Sequence, residues 1–175
     1  MTEHLDLLTK SRSWIRAQAD TYRHGEDRPL RGYLTLMSIY GAGTLGASLA
    51  AKAAGRPTPQ LSPWDVTQLA VATHRVSRTI AKDPVTSPIR APFTQYEGLS
   101  GPSELHETVR NDGWRHSVGE LLTCPMCLAQ WVATTFALAL IVAPRQARLV
   151  MATFTAVAGA DFLQHAYAKA QQLAS

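Results

Sequence analysis

Polar and apolar positions along the chain fall into blocks. Three stretches, 33–51, 121–144 and 149–160, hold no charged residue over 19, 24 and 12 positions. The 17 basic and 13 acidic residues all lie in the remainder. A helix rises 1.5 Å per residue, so about 20 apolar residues cross the hydrocarbon layer. Residues 33–54 and 121–144 therefore predict membrane-spanning helices. Residues 149–168 predict another, interrupted by Asp161 and His165. Residues 64–82, WDVTQLAVATHRVSRTIAK, have the length of a span but carry His74, Arg75, Arg78 and Lys82. They read either as a span whose basic end snorkels to the headgroups or as a helix lying in the interface, and the span is favoured.

The polar blocks fill the gaps. Residues 1–32 form a leader with eleven charged positions. Leu5, Leu8, Ile15 and Ala19 give it the spacing of a short surface helix, which Gly25 to Pro29 should stop. Residues 55–63, GRPTPQLSP, form a loop, and Ser62, Pro63 and Asp65 open the next helix. Residues 83–120 read as a Pro-rich polar connection. Asp83–Pro84, Ser87–Pro88 and Ala91–Pro92 disfavour helix before each proline, and residues 103–109 suggest one short helix. No segment alternates like a strand. The expected fold class is all-α: a small helical membrane bundle of four transmembrane helices, with a leader at 1–32 and a helical membrane domain at 33–175.

Composition narrows the classes. A 46% hydrophobic share excludes a disordered chain, and two cysteines exclude a disulfide scaffold. The N-terminal stretch lacks the apolar core and cleavage site of a signal peptide. The net charge is +4, but the basic residues flank the spans and interleave with no aromatic patch. Nucleic acid is therefore not an expected partner. With the N-terminus cytoplasmic, eleven basic residues fall inside and four outside. That bias predicts a multi-pass protein of the cytoplasmic membrane with both termini inside.

Small residues mark a second feature. Gly43 and Ala47, Ala42 and Gly46, and Gly46 and Ala50 are each four apart. They make a flat Gly/Ala face over 41–50, where another helix backbone comes close. The expected partners are the lipid bilayer and a membrane protein, or a second copy, docked on that face.

Four groups bear chemistry. Cys124, Pro125, Met126 and Cys127 stand at the start of the third span. A thiol there has its thiolate favoured by the free N–H groups, which suits a redox dithiol. Zinc is the alternative cofactor: Cys124 and Cys127 with His106 and His116 supply four ligands, at a spacing that matches no standard finger. The bland reading is a packed pair kept reduced by a cytoplasmic location. Arg75, Arg78, Lys82 and Arg90 form a basic group that would bind anionic lipid or another anion, anchor the topology, or pair with Asp83, Glu120 and Asp161, at least one such pair being expected within the bundle. Asp161 and His165 share a helix face within the last span, where a structural ion pair outweighs a proton relay. No nucleophile elbow, phosphate loop or paired carboxylates occur, so no enzyme activity is expected and no cofactor other than the zinc alternative.

Two stretches carry a resemblance. One is His74 to Asp83 running into Val85 to Phe93. The other is Gly119-Glu120-Leu121-Leu122-Thr123-Cys124-Pro125-Met126-Cys127 followed by Trp131-Val132-Ala133. Together, over 64–168, they resemble the bacterial membrane family catalogued as domain of unknown function thirteen-sixty, which includes small sporulation-associated membrane proteins. The resemblance implies a small helical membrane protein with about three core spans and no assigned activity. Its shared polar positions map onto Arg75, Arg78, Asp83, Arg90, Glu120, Cys124 and Cys127. Ala129 and Gln130 depart from the pattern expected before the tryptophan. The leader and first span stand as an addition. The function expected is a non-enzymatic structural or accessory subunit; the alternatives are the thiol or zinc protein and the lipid or anion binder.

Overall fold

A computed structural model of the chain describes residues 2–26, 28–110 and 113–174, with side chains from residue 9 onward. Helix α1 spans Thr2–Arg23. His24 and Gly25 follow with positive φ (47° and 87°) and end it. Leu5 and Leu8 of the expected surface helix lie outside the described side chains. Helix α2 spans Leu30–Ala53, starting three residues before the expected boundary. Its end is closed by Gly55 at φ 66°, whose N–H donates to Lys52 O at 3.0 Å, while Arg56 N–H donates to Ala51 O at 3.0 Å. Glycine takes that left-handed position without steric cost.

Helix α3, Pro63–Lys82, opens with a capping box. Ser62 Oγ accepts from Asp65 N–H at 3.1 Å, and Asp65 Oδ2 accepts from Ser62 N–H at 2.9 Å. Pro63 sits just inside, where its missing N–H costs nothing. Pro84 then forces a 3-10 turn over Pro84–Thr86, followed by the single turn α4, Ser87–Arg90. Strands β1, Thr94–Gly101, and β2, Glu104–Val109, pair antiparallel from Thr94↔Val109 to Gly101↔Glu104. Pro102 fixes the first corner of their turn and Ser103 takes a φ of 62°, as a type II turn requires. Helices α5 (Gly113–Thr123), α6 (Pro125–Val142) and α7 (Pro144–Ala174) complete the chain.

The core lies between α3, α6 and α7. Ala72, Val132, Phe136, Leu140, Ala147 and Met151 are buried there, with Leu69, Val76 and Ile80 of α3 packed against them. Arg148 Nε donates to Asp65 Oδ1 at 2.7 Å, and further along Arg75 meets Asp161. These links make α3 parallel to α7. The second pair is α2 with α6. Tyr33 OH donates to Glu120 just before α6, and Tyr40 OH lies 2.6 Å from Thr134 Oγ1. Tyr40 also meets Trp131 edge-on at 5.1 Å. Directions therefore alternate along the chain through α2, α3, α6 and α7.

Two expectations need correction, and a third is met in part. The fold is mostly helical but not all-α, because the β1–β2 hairpin is present. Within the polar connection 83–120 the short helix expected at 103–109 is strand β2, and the connection also holds the 3-10 turn, α4, β1 and most of α5. Of four expected spans, only α2 and α6 among the described residues are long and apolar enough to cross a membrane. Helices α3 and α7 are long enough, but Arg75, Arg78 and Asp161 fall within them and draw polar partners to their sides.

A polar cleft at one end of the bundle

The second half of α3, the hairpin turn and the later part of α7 enclose a cleft of about 540 Å³. Helical spacing puts Arg75 and Arg78 one turn apart on the side of α3 that faces it. The same rule brings Asp161 and His165 to its opposite wall. All four line the cleft, together with His74, Asp83 and Glu104.

The arginines are engaged by acids. Arg75 Nη2 donates to Asp83 Oδ2 at 3.3 Å. Its Nε lies 2.9 Å from Asp161 Oδ2, out of line for a hydrogen bond, so that contact is ionic. Arg78 pairs with Glu104 at the hairpin turn and so ties β2 to α3. Two guanidinium groups thus meet three carboxylates, a balance that disfavours an anion in the cleft.

The other candidates lie elsewhere. Lys82 is half-buried in the last turn of α3, outside the cleft lining. Arg90, expected at a lipid or anion site, is completely buried. It pairs with Glu107 through Nε, donates from Nη1 to Ile80 O at 2.6 Å and Thr86 Oγ1 at 2.7 Å, and from Nη2 to Asp83 O at 3.2 Å. With every nitrogen used, Arg90 fastens the hairpin to the end of α3 and offers nothing to a headgroup.

Cys124 and Cys127 stand at the start of α6, bonded to each other as a disulfide rather than held as separate thiols. Cys124 also caps the helix, its Sγ accepting from Cys127 N–H at 3.2 Å. The expected zinc set does not assemble. His106 is exposed on β2 opposite Gly98, and His116 lies 3.3 Å from Glu120 on α5. Among the described residues, no three of His, Cys, Asp and Glu come together as metal ligands.

Glu104 and Glu107 were not foreseen, because residues 103–109 read as a helix. The signal was available in the Gly101–Pro102–Ser103 corner, flanked by Thr94, Tyr96, Thr108 and Val109, all strand formers. An Asp161→Asn variant should lose less than about 1 kcal/mol, because Asp161 is 42% exposed and Arg75 keeps Asp83. Thermal unfolding in detergent measures this, and a larger loss would make the pair a main support of the bundle.

No curated protein and no solved structure matches the chain. A family profile does match, over residues 68–167, which is more than half of the sequence. It begins inside α3 and ends inside α7, so it takes in the core helices, the hairpin and almost the whole cleft. On that span, the chain belongs to the family described as protein of unknown function DUF1360.

Proposed function

We propose that this chain is a small integral membrane protein that acts without catalysis, as a structural or accessory subunit docked through α2. The observation carrying this reading is the exposure of apolar helices. None of the apolar window of α2 is buried, and only 22% of that of α6. A core helix of a soluble protein hides such a surface. Here Leu34, Met37, Ile39, Leu45 and Leu49 all face outward, so hydrocarbon is their natural solvent.

The alternating helix directions favour four crossings, with α3 and α7 accompanying α2 and α6. Their charges are then neutralised in pairs near the two ends: Asp65 with Arg148 at one, and Arg75 with Asp83 and Asp161 at the other. The bias of basic residues puts the cleft, the hairpin and both termini on the cytoplasmic side of an inner membrane. Alkaline carbonate washing should leave the protein in the membrane pellet. Release into the supernatant would overturn the integral reading.

Docking uses the Gly/Ala face of α2. A Cβ added at Gly41, Gly43 or Gly46 would meet nothing within 4 Å. Gly43 borders the groove between α2 and α6, whereas Ala42 and Gly46, four apart, lie outside that groove and are exposed, so the fold tolerates larger residues at those two while a helix seated on them does not. An Ala42→Leu/Gly46→Leu variant should keep the parent's unfolding temperature. It should also lose energy transfer between labelled copies, or lose the partner that co-purifies in mild detergent. Unchanged association of both kinds would remove this face from consideration.

The paired sulfurs favour a second reading, a thiol–disulfide site at the start of α6. Maleimide labelling before and after dithiothreitol tests it in the parent and in Cys124→Ser. Uptake of two labels per chain only after reduction, lost again when the reduced protein is reoxidised before labelling, supports it, and labelling that reductant does not change removes it.

A further inference from the structure

We propose that α1 is an interfacial helix, lying on the headgroups of an anionic membrane with its aromatic face turned into the lipid. The inference rests on the reading that α2 crosses the bilayer. Within α1, Trp14, Ile15 and Tyr22 are 65%, 59% and 70% exposed. At 3.6 residues per turn they fall on one side of the helix, with Ser11, Gln18 and Ala19. Arg16 and Asp20 fall on the opposite side.

Basic residues border the apolar arc. Lys10 comes just beyond Trp14 on one edge, and Arg12 just beyond Ala19 on the other, with Arg16 next to it. All three are exposed. Such a border lets long basic side chains reach phosphate groups while the helix body sinks to the acyl boundary. Tryptophan and tyrosine favour that same depth.

Connectivity fixes the occupant as lipid. Only residues 24–29 separate α1 from α2. The chain turns at His24 and Gly25, both at positive φ, and Arg23 Nε donates to Arg28 O at 3.1 Å across the turn. The start of α2 is where the chain enters the hydrocarbon, so α1 is held at headgroup depth. The helix holds four basic and three acidic residues, and its middle suits an anionic surface: Lys10, Arg12 and Arg16 follow one another with no acid between residues 7 and 19.

The test uses full-length protein with Cys124 and Cys127 changed to serine, and a single fluorophore-bearing cysteine in an Ile15→Cys or Asp20→Cys variant. Each is reconstituted in phosphatidylcholine vesicles with or without phosphatidylglycerol. With the anionic lipid, the label at residue 15 should emit to the blue and be quenched by lipids carrying a nitroxide near the headgroup. The label at residue 20 should stay water-like. Changing Lys10, Arg12 and Arg16 to glutamine should weaken docking by about fivefold per residue.

Water-like emission at residue 15 in anionic vesicles would overturn the proposal. So would a blue shift that disappears when the protein is diluted into excess lipid, since the face would then be covered by another copy. A carbonate wash of the same vesicles separates the two failures. Protein that stays in the vesicles with residue 15 in water sinks this inference alone. Protein washed out sinks the spanning reading beneath it.

Discussion

Replacing Arg90 with alanine should cost the fold about 3–5 kcal/mol, the loss expected when one partner of a buried ion pair is removed. The side chain is fully buried and Glu107 is 6% exposed, so no water replaces the guanidinium. Thr86 Oγ1 loses its donor and Ile80 O its short one, while Asp83 O keeps Thr86 N–H and Thr86 Oγ1. Ile80 O lies in the last turn of α3, where the residue four positions on is Pro84 and supplies no N–H. Thr94 continues the network, its Oγ1 donating to Arg90 O at 3.0 Å and its own carbonyl accepting from Arg110 Nε at 2.9 Å. Urea unfolding in detergent, followed by circular dichroism, measures the loss. Arg90→Met with Glu107→Leu should recover part of it by removing both charges. A single alanine variant as stable as the parent would show that the hairpin is held by other means.

Gly32→Ala should destabilise by about 1–3 kcal/mol, the cost of overpacking a filled site. A Cβ there would stand 2.0 Å from Ser117 Oγ and 2.8 Å from Ser117 Cβ. Ser117 cannot swing into solvent, because it is 1% exposed. Helices α2 and α5 would have to part, straining the bonds of Tyr33 and Arg28 to Glu120. Ser117→Gly opens the space, so the double variant should regain most of the parent's unfolding temperature. Failure of that rescue would place the cost inside α2. Gly46 contrasts with it, since a Cβ there would meet nothing within 4 Å: residues of one helix and one type divide into an internal contact and an open face.

The long helices were legible because charge-free runs and capping residues act locally. Ser62, Pro63 and Asp65 announce the start of α3 in any context. The convergence of Arg75, Arg78, Asp161 and His165 was half legible. Spacing of three and four residues tells which side chains share a face, and the alternation of helix directions brings Asp161 near Arg75, so the pairing of Arg75 with Asp83 and Asp161 was legible. The partners on the hairpin were harder. Glu104 reaches Arg78 and Glu107 reaches Arg90 only because the chain turns back at Pro102, a long-range event that leaves a weak local trace. Arg90 looked like a headgroup ligand because sequence reports charge and not depth. Cys124 and Cys127 were recognised as a pair, while the gathering of His106 and His116 around them required an approach that the strand position of His106 prevents.

Ala143 is the single residue between α6 and α7. At that end of the bundle the other connection, between α2 and α3, is the nine-residue segment 54–62. Helices α1, α4 and α5 and the hairpin all gather at the opposite end. The molecule is therefore lopsided. A protease or antibody approaching from the bare end finds one short epitope, while outside the apolar helices the larger surfaces among the described residues belong to the other side.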